Sequence, residues 1–505
     1  MPAEILVNRA LGETRVAFLE DGAVTEFHVE RDEGRNVVGS IYRGRVTRVL
    51  PGMQAAFVQV GLERAAFLYV DDVVTEDVAE EELDEDETPS RAASAAERPP
   101  IEALLREGQE VTVQVVKAPL GTKGARVTTY LTIPGRYVVY MPTIKRIGVS
   151  RRITSEAERK RLKEVVASHQ RPDEGGFIVR TVCEGLTGEE IAQDMEFVRS
   201  LWQEVADKAN GAPVPSLVQP DLDLVLRATR DLFTDEVAAF RIDDPRQVER
   251  VKKLVARFAP HLVDRVVEYE DPVALFERYG VDQALERALL REIHLKNGVS
   301  IVIDEAEALA AIDVNTGRFV GSRDLEATIL ETNLAAAQEI AAQIRLRNLG
   351  GIIIVDFIDM QAPESREKVY NKFVEALRHD RAKTHALSMS GLGLLEMTRK
   401  RTTPSLGRTL TEPCPYCEGR GRIRSRHTVC LEILREVERQ ARLHPEGDIV
   451  VSAMPEVAAR LAERESGHVE ALEQRLARPI VVEARSDLHQ EVYQVLVRAP
   501  SGVRP

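Results

Sequence analysis

Cysteine is scarce in this 505-residue chain: there are four, and two of them form Cys414-Pro-Tyr-Cys417. A disulfide framework is excluded, and the close pair points to metal or redox chemistry in a reducing compartment. Cys183 and Cys430 read as ordinary residues. Long apolar runs are also missing. Nowhere do about 18 apolar residues follow one another, so no membrane span is expected. The N-terminus brings Glu4 early and has no basic stretch ahead of an apolar core, so no secretory signal and a cytoplasmic chain are expected. No internal repeat is apparent. With 44 % hydrophobic and 30 % charged residues the composition is that of a folded chain, and the length corresponds to roughly three domains.

Positive charge is in deficit as well, with 82 acids against 68 Lys plus Arg and a net charge of −14. Such a balance ordinarily argues against a nucleic-acid partner. The deficit is local, however. Residues 71–87 carry eleven carboxylates and no base, and subtracting those from −14 leaves −3 for the rest. Residues 144–163 hold eight bases against two acids, and residues 395–426 eight against three. Either cluster can meet phosphates or form a solvated face.

Residues 76–100, acidic and then rich in Pro, Ser and Ala, have too little apolar content to pack and read as a disordered loop. Alternating segments on either side, 40–70 and 109–132, predict a small antiparallel barrel. An α+β module follows, with strand-like stretches at 137–141 and 177–181 around a charged helical segment at 155–168. Residues 224–297 mix short strands and amphipathic helices. From 300 to 355 the pattern is strand, hairpin turn at 304–307, strand, a helix over 324–349 stopped by Gly350-Gly351, and strand. The last strand, 352–355, is continuously β-branched, which predicts coverage on both faces. Residues 429–497 read as helix, strand, helix, strand.

Alternation along 309–315 puts Asp313 and Asn315 on one face and Ile312 and Val314 on the other. Asp356 stands where the next apolar strand emerges, and an unpaired charge there is costly. It therefore wants a cation, and two carboxylates at neighbouring strand ends suit Mg2+; capping the next segment or pairing with an Arg would satisfy it equally. In 56–60 the valines share one face and leave Phe57 on the other, and Phe67 lies opposite Leu68 and Val70. Those rings can stack bases, with Arg43, Arg45 and Lys123 near for phosphates, or can form interdomain core. Cys414 and Cys417, with the turn glycines Gly419 and Gly421, resemble half of a zinc knuckle. His427 or Cys430, or the same pair of a second subunit, can complete it; a redox pair is the alternative, weakened by the lack of a thioredoxin-like βαβ context around it.

The segments AIDVNTG (311–317), RLRNLGGIIIVDFIDM (345–360), GLLEMTRKR (393–401) and CPYCEGRG (414–421), together with YRGRVTRVLPGMQAAFVQVGLERAAFL near the N-terminus, resemble the ribonuclease E/G family over nearly the whole chain. The resemblance implies an α+β multidomain enzyme. Residues 1–38 and 225–288 would form an RNase H-like subdomain without catalytic residues. Into it would be inserted an OB-fold barrel over 39–130 and a 5′-sensor over 131–224. A DNase I-like catalytic subdomain over 289–410, a zinc link over 411–426 and a small α+β domain over 427–505 would follow.

The implied activity is Mg2+-dependent endonucleolytic cleavage of single-stranded, A/U-rich RNA with a preference for a 5′-monophosphate, leaving a 5′-phosphate and a 3′-hydroxyl. By the same resemblance Asp313 and Asp356 would hold the Mg2+, and Asn315 would position Asp356 or the attacking water. Arg180 and Thr181 would take the terminal phosphate and Val139 the terminal base, although Arg180 read alone suits a structural ion pair. Phe57, Phe67 and Lys123 would hold RNA, and Cys414 with Cys417 would share Zn2+ between subunits of a homodimer or tetramer. The implied substrates are the 5′ precursor of 16S rRNA and messenger RNAs. A noncatalytic RNA-binding protein and a metal-dependent phosphatase or DNA nuclease are the rivals; retention of Asp313, Asn315 and Asp356 together weighs against the first.

Overall fold

The computed structural model describes residues 3–32, 37–74, 99–119, 124–295, 298–315, 325–401 and 403–498. The predicted loop 76–100, apart from its last two residues, and Lys123 lie outside them. The chain divides into two compact units, Met1–Gly407 and Arg408–Pro505, and its architecture is mixed α+β with several domains.

In the first unit, strands Ile41–Leu50, Ala55–Gln59, Ala66–Tyr69, Arg126–Thr128 and Glu110–Lys117 pair in that order, and the first pairs again with the last. The result is a closed five-stranded barrel, consistent with an OB-fold. Alternation supplies its core, since Val46, Val58, Leu68, Val113 and Val127 all point inward. The N-terminal strands Ala3–Ala10, Glu13–Glu20 and Ala23–Arg31 form a meander whose first strand pairs in parallel with Val237–Ile242. The barrel lies between these partners in the chain. So does a four-stranded sheet containing Val138–Met141 and Gly176–Val179, backed by helices Glu156–His169 and Gly188–Gly211.

A six-stranded sheet follows. Its central strands Leu309–Asn315 and Gly351–Asp356 are parallel, and the other pairings are antiparallel. Ile312, Val314, Ile353 and Val355 pack with Ile340 and Ile344 of helix Leu325–Leu346 and with Phe373 of helix Pro363–Ala376. This corrects the expectation of coverage on both faces: Ile352 is 50 % exposed and Ile354 half-buried. The helices cover one side, and the β-branched residues on the other form an open face. The helix stop also differs from the predicted Gly350-Gly351. Asn348 adopts the left-handed conformation at φ 50°, its N–H bonds the Arg345 carbonyl, and the Leu349 N–H bonds that of Ile344. Gly351, at φ 93°, sets the entry into the next strand.

The second unit holds helix Arg426–Leu443, strand Asp448–Ala453, helices Pro455–Glu463 and Ser466–Leu476, and strands Ile480–Ala484 and Tyr493–Arg498. It has one helix and one strand more than the sequence pattern suggested.

Ion pairs join the N-terminal meander to the six-stranded sheet. Arg345 binds both carboxylate oxygens of Glu20, at 2.8 and 2.6 Å, and Arg381 pairs with Glu26 at 3.5 Å. Burial works to raise the Glu26 pKa, but the hydrogen bond to His28 and the charges of Arg381 and Arg345 hold it down to about 2. A carboxylate held below its unfolded value stabilises the fold above about pH 4.5, and the contribution disappears as pH falls toward 2. Glu26→Gln is therefore expected to flatten the fall in Tm between about pH 5 and pH 3. Equally steep falls in both proteins would contradict this.

Candidate active site

The two strands that carry the acids are aligned so that Asp313 stands directly opposite Asp356. On the first strand Ile312 and Val314 are buried while Asp313 and Asn315 are exposed, the alternation read from the sequence. Both acids thus lie on the open face of the sheet. Burial, and then the neighbouring charges of Asp313 and Asp359, push the Asp356 carboxyl above its ordinary range. Asn315 donates from Nδ2 to Oδ2 of Asp313 at 2.8 Å. Its hydrogen-bond partner among the described residues is Asp313.

Two contacts fix the loop after Asp356. The buried Asn333 amide donates to the Ile358 carbonyl at 2.8 Å and accepts from the Ile358 N–H at 3.1 Å. Gly393 accepts the Phe357 N–H, and its φ of 78° and the 3.0 Å from an added Cβ to the Phe357 carbonyl oxygen require glycine. The sequence reading passed over Asn333 and Asp359. Asp359 could have been noticed by its spacing from Asp356, whereas Asn333 is indistinguishable from other polar residues of its helix.

No group of three or more His, Cys, Asp or Glu among the described residues is arranged to hold a metal ion. A hydrated Mg2+ asks for less, because it keeps several waters and takes one or two carboxylates. Asp313 and Asp356, hard oxygen donors side by side under mutual repulsion, fit such an ion.

Arg180 and Thr181 open on a cavity of about 520 Å3 whose lining also includes Arg136, Arg152, Arg230 and Arg381. Arg180 donates from Nη1 to Asp231 at 2.8 Å and to the Gly135 carbonyl at 2.9 Å. The ion pair read as the structural alternative is thus present. Arg230 grips the same carboxylate through Nε and Nη2. Burial opposes ionisation of Asp231, but Arg230 and then Arg180 bring its pKa to about 2. Thr181 shares a hydrogen bond with Ser150 at 3.0 Å. Arg136 is buried, with an Nη1 that finds no acceptor among the described residues. Val139 is buried in a cluster with Tyr130, Met141, Ile144 and Ile178, so its side chain belongs to a core and presents little surface to a base.

On the barrel, Phe57 and Phe67 are half-buried cross-strand partners with ring centroids 5.5 Å apart. Arg43 and Arg45, expected near phosphates, both bind Glu110 at 2.9 Å, and Arg43 also donates to three backbone carbonyls. One carboxylate thus serves two guanidinium groups, and Arg45 remains exposed.

In the second unit, Cys414 is exposed and Cys417 half-buried. Backbone N–H groups of Cys417 and Tyr416 point at the Cys414 sulfur and lower its pKa. Positive φ at Glu418, Gly419 and Gly421 turns the chain tightly behind the pair. Among the described residues no third thiol, imidazole or carboxylate is grouped with the pair: His427 bonds Glu465 through Nδ1 at 2.8 Å, and Cys430 is buried, its thiol pushed up to about 11 by burial. Two soft donors fit half of a tetrahedral zinc site.

Comparison with known proteins supplies the family context. The Ribonuclease E/G family model matches residues 132–402, and the model of the RNase E/G thioredoxin-like domain matches residues 413–498, which include Cys414 and Cys417, so the expected lack of a thioredoxin-like context around the pair is corrected. The chain is 45 % identical to ribonuclease G of Haemophilus influenzae over 496 residues, 98 % of this chain and 99 % of that protein. It is 42 % identical to ribonuclease G of Escherichia coli over 499 residues, 98 % and 100 % respectively. Ribonuclease E of Escherichia coli is 37 % identical over 465 residues, 92 % of this chain but 43 % of that protein.

The Asn333 contact generates a direct test. Asn333→Ala leaves the N–H and C=O of Ile358 without partners and is expected to cost about 1–3 kcal/mol. Native-state hydrogen exchange should show faster exchange at the Ile358 amide. Unchanged protection there would mean that another group holds the loop.

Proposed function

The chain belongs to the ribonuclease E/G family, and on that premise we propose that it is an endoribonuclease of the ribonuclease G type that cuts single-stranded RNA with Mg2+. The observation that carries this reading is the register of Asp313 against Asp356 on an open sheet face, with the Asp356 carboxyl raised by burial and by its acidic neighbours. Asp313 and Asp356 would hold the ion. When bound, Mg2+ lowers the pKa of a coordinated water and offsets charge on the phosphate oxygens. Asn315 keeps the Asp313 carboxylate oriented through its 2.8 Å hydrogen bond. Asn333 and Gly393 hold the loop that follows Asp356 and carries Asp359. Attack of water at phosphorus with departure of the 3′-oxygen leaves a 5′-phosphate and a 3′-hydroxyl.

A 5′-monophosphate on the substrate would sit in the arginine-lined cavity. Guanidinium groups and the Thr181 hydroxyl suit a phosphate dianion. Phe57 and Phe67 give bases a surface, which supports single-stranded substrates over duplexes; the A/U preference rests on the family resemblance alone. In this reading the six-stranded sheet with its helices is DNase I-like. The meander completed by Val237–Ile242 is RNase H-like, and Cys414 and Cys417 share Zn2+ with the same pair of a second subunit. The biological roles that follow are maturation of the 16S rRNA 5′ end and mRNA decay in the cytoplasm.

Two variants test the reading. Asp356→Asn should lower cleavage at least a thousandfold while RNA affinity stays within about threefold, order-of-magnitude expectations for loss of a metal ligand; equal cutting would remove the metal-site assignment. Arg180→Ala should bring the rates on 5′-monophosphorylated and 5′-hydroxyl RNA close together. The fold should survive, because Asp231 retains both contacts to Arg230. An unchanged ratio of rates would remove the sensor assignment.

A further inference from the structure

The two phenylalanines belong to a longer row. Arg48 pairs with Phe57, Phe57 with Phe67, and Phe67 with Arg126, so one line of cross-strand partners runs Arg-Phe-Phe-Arg over four strands of the barrel. Two residues beyond Phe67 on the same face stands Tyr69, 39 % exposed, with its ring centroid 4.4 Å from that of Phe67. The Arg126 guanidinium lies over the Tyr69 ring at 4.9 Å and is itself anchored by a 2.8 Å hydrogen bond from Nε to Asp72, which is buried. At the other end Arg48 is exposed and makes no ion pair among the described residues. That sets it apart from Arg43 and Arg45, both tied to Glu110.

We propose that Tyr69, on the same face beside the Arg-Phe-Phe-Arg row, is a third base-stacking residue of the barrel and that Arg48, at the end of that row opposite Arg126, is a phosphate contact. The inference rests on the reading of the chain as a single-strand ribonuclease and extends its substrate-binding surface. Aromatic faces accept any base and are sequence-tolerant, whereas a cation beside them neutralises the connecting phosphate. A row with rings in the middle and a guanidinium at each end matches the alternation of base and phosphate along an unpaired strand. Duplex RNA keeps its base faces covered by stacking and cannot use it. Tyr69 is exposed, so replacing it leaves the barrel core intact. Arg126 is less suited to testing, because its removal strands Asp72.

The test uses the full chain carrying Asp313→Asn, so that the strand stays whole, and measures its affinity for short unstructured oligoribonucleotides by fluorescence anisotropy at several salt concentrations. Tyr69→Leu is expected to weaken binding by about 5- to 100-fold with an unchanged salt dependence, and Tyr69→Phe to restore it. Arg48→Ala is expected to weaken binding and to reduce the slope of log K against log salt by about 0.7. If Phe67→Leu weakens binding while Tyr69→Leu and Arg48→Ala stay within twofold of the parent, the extension fails and the two-ring surface stands. If the parent binds no single strand, the ribonuclease reading fails and this inference with it.

Discussion

Two carboxylates held in register on adjacent parallel strands repel each other, and the protein keeps them there. The pairing of Asp313 with Asp356 follows from a ladder that begins at Leu309 and Ile352 and cannot slip by one residue without turning Ile312, Val314, Ile353 and Val355 out of the core. Hydrophobic burial on one face of the sheet thus enforces unfavourable electrostatics on the other. Helix Leu325–Leu346 contributes twice, by packing Ile340 and Ile344 against the sheet and by gripping Ile358 through Asn333. Burial, and then the charges of Asp313 and Asp359, raise the Asp356 carboxyl, and a divalent cation bound there would offset that repulsion.

Charge elsewhere is arranged on the opposite plan. The chain is acidic overall, yet the arginines of the cavity and the barrel create local positive surfaces. Many of them are partly neutralised in place, Arg180 and Arg230 by Asp231 and Arg399 by the buried Asp380. Such pairing lets several guanidinium groups stand close together without unfolding the region, and it sets their orientation. Arg43 goes furthest in this direction, since Glu110 and the carbonyls of Ala209, Asn210 and Ala212 all bind it, while Arg45 shares Glu110 and stays exposed.

The parts legible in the sequence are those governed by local periodicity. Alternation places Asp313 and Asn315 outward, and Val58 and Leu68 inward, as the structure does. Contacts between distant segments were not legible. Ile352 and Ile354 read as a buried run because nothing local says that helices cover only one side of their sheet. The Schellman stop at Asn348 was hidden by the more conspicuous Gly350-Gly351. Arg48 was missed for a precise reason: strict alternation from the buried Val46 turns Arg48 inward, and a bulge between Val46 and Arg48 turns it out beside Phe57. Family resemblance supplied roles for Arg180 and Thr181 that spacing could not, while the Asp231 contact came only with the structure.

The most direct measurement is cleavage of one short single-stranded RNA, with a 5′-monophosphate or a 5′-hydroxyl, in Mg2+ or in EDTA, by the parent and by Asp313→Asn. Cutting that needs Mg2+, runs faster on the monophosphate and vanishes in the variant is the expected result. RNA that binds tightly but stays whole under every condition would contradict the account and leave the aspartate pair without a catalytic role.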